Sequence, residues 1–264
     1  MDGHPAWEGL FLDKPFEFRF GARPGNAKEF FSDSRGYQEL IAHRHKIIAS
    51  YPERHVFQES IAGAAVDELA EWGEVPSMDC RELALHWEQD FVVLLADAQG
   101  KEVFQAGVIC FPSSWRPEEK VGLPVYAIHS PVPTLNERLG EQIDKFIVGI
   151  KPGTAWERVN WGLSRSAELN QHPDCKVPRL EPPFNLDQVW VRREDQVLFR
   201  LPKTGALIFG INVFNISVAE VASDKEGRAG LRRSVETMPE EIAKYKNIKD
   251  SREYLLGLLN DSRY

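Results

Sequence analysis

Two long runs of β-forming residues, Gln188 to Leu201 and Ala206 to Ile216, are separated by nothing but Pro202-Lys203-Thr204-Gly205. Such a short proline–glycine turn leaves no room for a crossover, so the two strands must pair antiparallel. The device occurs twice. Phe91-Val92-Val93-Leu94-Leu95 and the run from Val103 to Phe111 flank a second turn, Asp97-Ala98-Gln99-Gly100. Wherever two strands adjoin in this chain they read as a hairpin, which excludes a parallel, doubly wound sheet.

Helical patterns surround the hairpins. The spacing predicts a helix capped by Asp33 and Ser34 and running to about Ser50, with Tyr37, Leu40, Ile41, Ile47 and Ile48 inward. Tyr51-Pro52 ends it, because proline disfavours helix in the residue before it. A second helix is predicted from about Gln58 to Trp72, with Ile61, Ala65, Leu69 and Trp72 on its apolar side and Gly73 as its stop. Thr134 and Glu137 have capping-box spacing ahead of a helix to about Gly149, with Leu139, Ile143, Phe146 and Ile147 inward. Tail helices are predicted near 217–222 and 239–259. Residues 112–133 are proline-rich and read as an ordered loop or a short strand between turns, and residues 151–185 as irregular. The expected architecture is α+β, an antiparallel sheet with helices grouped on one side. An irregular arm over 1–32 packs aromatic side chains on the body (33–220), and a helical extension follows (221–264).

Composition removes several function classes. Apolar residues make up 42% of 264, enough for a sizeable core. The net charge of −8 argues against sequence-independent nucleic-acid binding, which needs a basic footprint. Arg228, Arg232 and Arg233 read as a solvated helix face. Cys80, Cys110 and Cys175 match no zinc or disulfide pattern, and Cys110 lies in an apolar run suited to the core. No apolar run approaches the ~20 residues of a membrane helix, and no leader pattern is visible, so the expected location is cytoplasmic. There is no GxGxxG, P-loop or HExxH.

Three places carry chemistry. His129 follows the apolar, strand-like run Val125-Tyr126-Ala127-Ile128 and precedes Pro131 and Pro133, which restrict the backbone. A rigid, partly buried imidazole there suits a metal ligand or a general base, although on residue context alone a hydrogen-bonded core histidine is the commoner case. Arg158-Val159-Asn160-Trp161 gathers a cation, an amide and an indole. In the strand Gln188–Leu201, alternation puts Arg192, Glu194, Gln196 and Arg200 on one face, with Arg193 and Asp195 on the other. Buried charge is costly unless paired, so that face is either solvated or lines a pocket for a charged ligand.

The segments FPSSWRPEEKVGLPVYAIHSPVP (111–133), RVNW (158–161) and RREDQVLFRLPKTGALIF (192–209), with a weaker match through FRFGARP (18–24), resemble the haem-dependent oxidative N-demethylase family. The resemblance spans about 16–220. It implies a PAS-like antiparallel sheet holding haem b, and oxidation of a small secondary alkylamine such as dimethylamine by O2 to a primary amine and formaldehyde. It implies electrons from NADPH through a flavin/iron–sulfur reductase. This chain has neither a dinucleotide fingerprint nor a cysteine cluster, so that reductase is expected to be a separate protein. Without CxxCH the haem is expected to be non-covalent.

By the same resemblance His129 is the candidate axial iron ligand. Lys120, Arg158 and Arg200 are candidates for the propionates, with Arg192 also counted among the cofactor-binding residues, and Trp115 and Trp161 for apolar walls. Glu194 would anchor the amine, and Gln196 and Asn160 would steady oxygen or water. The sequence departs from the family pattern at Arg193 and Asp195, on the strand face opposite Glu194, which leaves the amine's identity open. Two other readings stand beside the enzyme: a PAS-like haem or small-ligand sensor without turnover, and a relative that has lost haem.

Overall fold

The computed structural model describes residues 7–17, 20–32, 36–76 and 79–261. The expected cap at Asp33 and Ser34, and Phe18 and Arg19 of the weaker motif, lie outside the described residues. Seven strands form one sheet: β1 (Arg23–Gly25), β2 (Val56–Gln58), β3 (Asp90–Ala96), β4 (Glu102–Val108), β5 (Ala155–Ser164), β6 (Trp190–Arg200) and β7 (Leu207–Ser217). Their order is β1-β5-β6-β7-β3-β4-β2, and every pairing is antiparallel. The α+β expectation holds, and both hairpins form.

The β6–β7 turn is held from outside itself. Leu201 N donates to Ala206 O at 2.9 Å, and Gly205 takes a φ of 73°. The Glu68 carboxylate accepts from Lys203 N, Thr204 N and the Thr204 hydroxyl at 2.6–2.7 Å. Glu68 stands on the helix Gly63–Gly73, so this turn is tied to a helix packed on the sheet.

Helices lie on both faces, not on one. Val93, Val197 and Phe199 face a core shared with Ile47, Ile48, Ala65 and Leu69 from the helices Tyr37–Ser50 and Gly63–Gly73. Val92, Leu94 and Leu198, one residue out of phase, face Ile143 and Ile147 of the helix Leu135–Gly149. A third core joins Trp7 and Phe11 of the N-terminal arm to Leu231, Val235, Ile242, Leu255 and Leu259 of the C-terminal helices.

Several local expectations give way. The arm is not wholly irregular: it supplies β1 and a short helix, Ala27–Ser32. The second helix starts later than predicted, since Val56–Gln58 is edge strand and Ile61 is 68% exposed. Gly73 is its last residue, and Glu74 takes the left-handed cap with a φ of 58°. The 151–185 stretch contains β5, whose polar and aromatic residues hide the period-2 signal. Val125–Ile128 is a helical turn rather than a strand, since four apolar residues cannot fix a period. The Thr134 capping box does not form: Thr134 has a φ of 57°, outside the extended region a capping residue needs, and its hydroxyl has no partner among the described residues. The helix face read at Arg228, Arg232 and Arg233 belongs to the helix Lys225–Thr237, where Arg232 and Arg233 each pair with Glu236 and Arg228 donates to Ala222 O at 2.7 Å. No helix among the described residues is long and apolar enough to cross a membrane.

Candidate functional site

Alternation does put Arg192, Glu194 and Gln196 on one face of β6, and that face is covered rather than solvated. Arg192 is 3% exposed and Gln196 7%. Across the β5–β6 ladder Asn160 stands opposite Glu194, and Arg158 opposite Gln196. Glu194 is the centre of the cluster. Its Oε1 accepts from Ser113 Oγ at 2.5 Å, and its Oε2 accepts from Gln196 Nε2 at 3.0 Å and Asn160 Nδ2 at 3.2 Å.

Arg192 works as a clamp. Its Nε donates to Ser113 Oγ at 2.7 Å, and its Nη2 donates to the carbonyls of Phe111 and Leu169 at 2.7 Å each. Burial lowers its pKa to about 10, against the attraction of Glu194 and Asp90. The clamped segment is fixed from behind as well. Asp90 accepts from Cys110 N and Phe111 N at 2.8 and 2.9 Å and pairs with the fully buried Arg44 at 2.5 Å. Cys110 is in the core as expected, and burial pushes its thiol up to about 12.

Lys246 enters from beyond the helix Glu240–Tyr245. Its Nζ donates to Trp161 O at 2.5 Å and Asn160 Oδ1 at 3.4 Å. Burial lowers its pKa to about 8, with Glu194 opposing and Arg158 adding to the shift.

Arg158 is different in kind. Among the described residues its guanidinium donates no hydrogen bond; its Nε is sealed from solvent without a partner, and it lies 5.0 Å from the Phe20 ring. Burial lowers its pKa while Glu194 opposes. His129, half-buried at the end of the Val125–Ile128 turn, feels the same cation. Burial first, then Arg158, lowers the imidazole pKa to about 4, so it is neutral at ordinary pH with one ring nitrogen available as a ligand.

The surface around these groups is apolar and incompletely closed. No residue from Val121 to Leu139 is fully buried, and only Ser164 is fully buried in β5. Trp115, Val121, Val125, Ile128, Leu135, Phe146, Trp156 and Phe20 all pack there half-covered.

The other sequence candidates divide. Trp115 lies in this half-covered apolar layer. Lys120 is half-buried at the end of a short turn, and its ammonium has no partner among the described residues. Arg200 is committed elsewhere. It donates to Ile147 O, Ile150 O, Gly205 O and Glu102 Oε1 at 2.6–3.0 Å, closing the C-terminus of the Leu135–Gly149 helix and leaving no fork free. Trp161 points to the opposite face of β5 from Asn160, against Phe11 at 5.0 Å. Trp156 and Lys246 join the site without any motif to announce them, and Ser113 joins it from within the 111–133 segment, where its residue type alone does not single it out. A cleft of about 710 Å³ lined by Phe31, Trp72, Trp87 and their neighbours shares no lining residue with this cluster.

The buried polar atoms can be tested for a missing group. Arg158, Arg192 and Lys246 all lie within electrostatic reach of Glu194, three cations to one carboxylate. One of the three has no acceptor. A planar apolar group bearing two carboxylates, with a metal open to a neutral imidazole, fits both the charge deficit and the half-covered apolar layer. Haem b has that constitution, so the residues present fit it.

Fold and site together define an α+β protein with a polar cluster set into one face of an antiparallel sheet, beside an apolar layer that the described side chains do not close. The chain belongs to the family described as haem-dependent oxidative N-demethylase, alpha subunit-like, which matches residues 74–256. Ser113, His129, Arg158, Asn160, Glu194, Gln196 and Lys246 all fall within that match.

Proposed function

We propose that the chain binds haem b and acts on a small secondary alkylamine such as dimethylamine, as the catalytic component of an oxidative N-demethylase. The observation that carries the reading is the unpartnered guanidinium of Arg158, within electrostatic reach of both the neutral His129 and the triply hydrogen-bonded Glu194. In this reading His129 ligates the iron. Arg158 and Lys120 take the propionates, Arg158 by a forked pair of donors. Trp115 and Trp156 are apolar walls. The order of the five long strands, β5-β6-β7-β3-β4, supports the PAS-like description of the sheet.

Glu194 binds the substrate ammonium. Three donors hold its carboxylate as an acceptor, and of about four lone-pair sites one remains for the ligand. Gln196 spends its amide N–H on Glu194, so its oxygen is left to accept a second N–H from the amine. The two acceptors orient an N-methyl group, which is the positional part of catalysis. The incomplete cover over β5 is filled by the cofactor, which excludes water from the amine. Bound haem supplies oxygen activation: with two electrons and two protons, one oxygen atom goes to the methyl carbon, which leaves as formaldehyde, and the other to water. The electrons are assigned to a separate NADPH-dependent flavin/iron–sulfur reductase.

The test is an absorption spectrum of the purified chain with and without hemin, then with dimethylamine, followed by formaldehyde assay with a reductase and NADPH. A Soret band that shifts with the amine is expected. A chain that leaves hemin unbound overturns the reading; one that binds hemin and amine but releases no formaldehyde is a sensor.

A further inference from the structure

The Asn160 side chain sits between two groups that impose opposite demands. Lys246 has only donors, so the end of the amide facing it must be the oxygen. The Glu194 carboxylate only accepts, so the end facing it must be the nitrogen. The observed contacts meet both conditions, with Lys246 Nζ on Oδ1 at 3.4 Å and Asn160 Nδ2 on Glu194 Oε2 at 3.2 Å. Lys246 is itself held by Trp161 O at 2.5 Å and by the Trp161 ring at 5.5 Å, so it is not free to turn away. It has no carboxylate of its own; among the described residues both its acceptors are neutral oxygens.

We infer that Lys246 is a positioning residue of the amine site, fixing the Asn160 amide so that its nitrogen holds Glu194 and the carboxylate's last acceptor faces the ligand. The inference rests on Glu194 as the amine anchor. It makes the C-terminal segment, which no motif connects to the site, part of what determines amine affinity. Lys246 acts through Asn160 and touches no substrate. Burial lowers its pKa to about 8, which accords with a cation held in place by geometry rather than by a counter-charge.

The test titrates dimethylammonium chloride into the hemin-loaded full chain, read by absorption, for the wild type, Lys246→Met, Asn160→Ala and the double variant. Lys246→Met is expected to weaken binding by about tenfold, the worth of one well-placed hydrogen bond, with the haem spectrum unchanged. In the Asn160→Ala background the same substitution is expected to cost nothing further, because residues acting in series are not additive. Lys246→Gln, whose amide can accept as well as donate, also releases the constraint; it is expected to lose affinity similarly and serves if the methionine variant unfolds. Wild-type affinity in both Lys246 variants, or an undiminished loss in the Asn160→Ala background, overturns the inference and leaves the amine site standing. If the wild type binds no dimethylammonium, the amine-anchor reading fails instead. Lys246 is then judged on the side-chain amide NMR signals of Asn160 in the full chain without hemin. Their shift and faster exchange in Lys246→Met support the positioning role; unchanged signals overturn it.

Discussion

Glu194 and His129 are asked to do separable things, and single substitutions separate them. Glu194→Gln keeps the shape and removes the charge that an ammonium pairs with. Charge-assisted hydrogen bonds are worth roughly 1.5–3 kcal/mol, so about 10- to 100-fold weaker dimethylammonium binding is expected. Haem content and Soret position should stay as in the wild type; loss of hemin binding in this variant would place Glu194 in the cofactor site instead. His129→Ala should do the reverse, with the haem spectrum altered or lost; a normal spectrum would show that another group ligates the iron. Lys246 adds a pH signature. Its folded pKa of about 8 lies below the ordinary lysine value, so between about 8 and 10.5 the unfolded chain binds the extra proton and stability rises with pH. The wild type should therefore gain on Lys246→Met as pH climbs through that window, and the difference should be flat below it. Thermal unfolding of the pair across pH 7–11 measures this, and a constant difference throughout would mean that Lys246 is not depressed. At this scale the sequence was legible where residues share a strand. Glu194 and Gln196 meet because alternation demands it, and Asn160 joins them by register. Arg200 shares their face and is nonetheless lost to the site, because the open end of the Leu135–Gly149 helix needs donors and nothing local to β6 reveals that. Trp161 was grouped with Asn160 because they are neighbours in sequence, yet adjacent residues on a strand point to opposite faces.

Among the elements, the segment from Cys110 to Ser113 decides whether Glu194 has its third donor. The chain leaves β4 there, and two buried cations fix it: Arg44 through Asp90, and Arg192 through the Phe111 carbonyl. Arg44 and Asp90 are 0% and 1% exposed, which is the setting in which removing one partner is expensive. Arg44→Met leaves Asp90 buried without its cation and is expected to destabilise the fold by about 3–5 kcal/mol. Denaturant unfolding checks it; a loss under 1 kcal/mol would mean that the backbone amides of Cys110 and Phe111 satisfy Asp90 without help. The hairpins β3–β4 and β6–β7 were readable because their turns and alternation are local signals. β5 was hidden by its mixture of aromatic, charged and amide residues, the composition a strand acquires when one face lines a site and is not sealed by core. The Val125–Ile128 turn was misread for want of length, and Thr134 because a capping box presumes an extended residue that Thr134 is not.

Across the whole molecule, the proposed function implies an order of assembly set by charge. Glu194 lies within electrostatic reach of Arg158, whose guanidinium has no acceptor among the described residues, and without a further anion that cation repels an ammonium ion. At an effective dielectric of about 20, each unit charge some 6 Å away is worth about 3 kcal/mol before screening, comparable to the whole gain expected from one charge-assisted hydrogen bond. On the proposed function haem b would bring two carboxylates, and their pairing with Arg158 would remove the repulsion. The cofactor and the amine would then be coupled, and because coupling between sites is reciprocal, amine should tighten haem as haem tightens amine. Calorimetric titration of dimethylammonium chloride into the chain with and without equimolar hemin tests this directly. Binding is expected only in the loaded protein, and hemin dissociation, followed by transfer to an apo-globin acceptor, should slow when the amine is present. Equal amine affinity in the two states would show that Glu194 is already balanced without the cofactor. The charge deficit around it would then be a structural feature of the sheet face, and the case for propionates at Arg158 would fall with it.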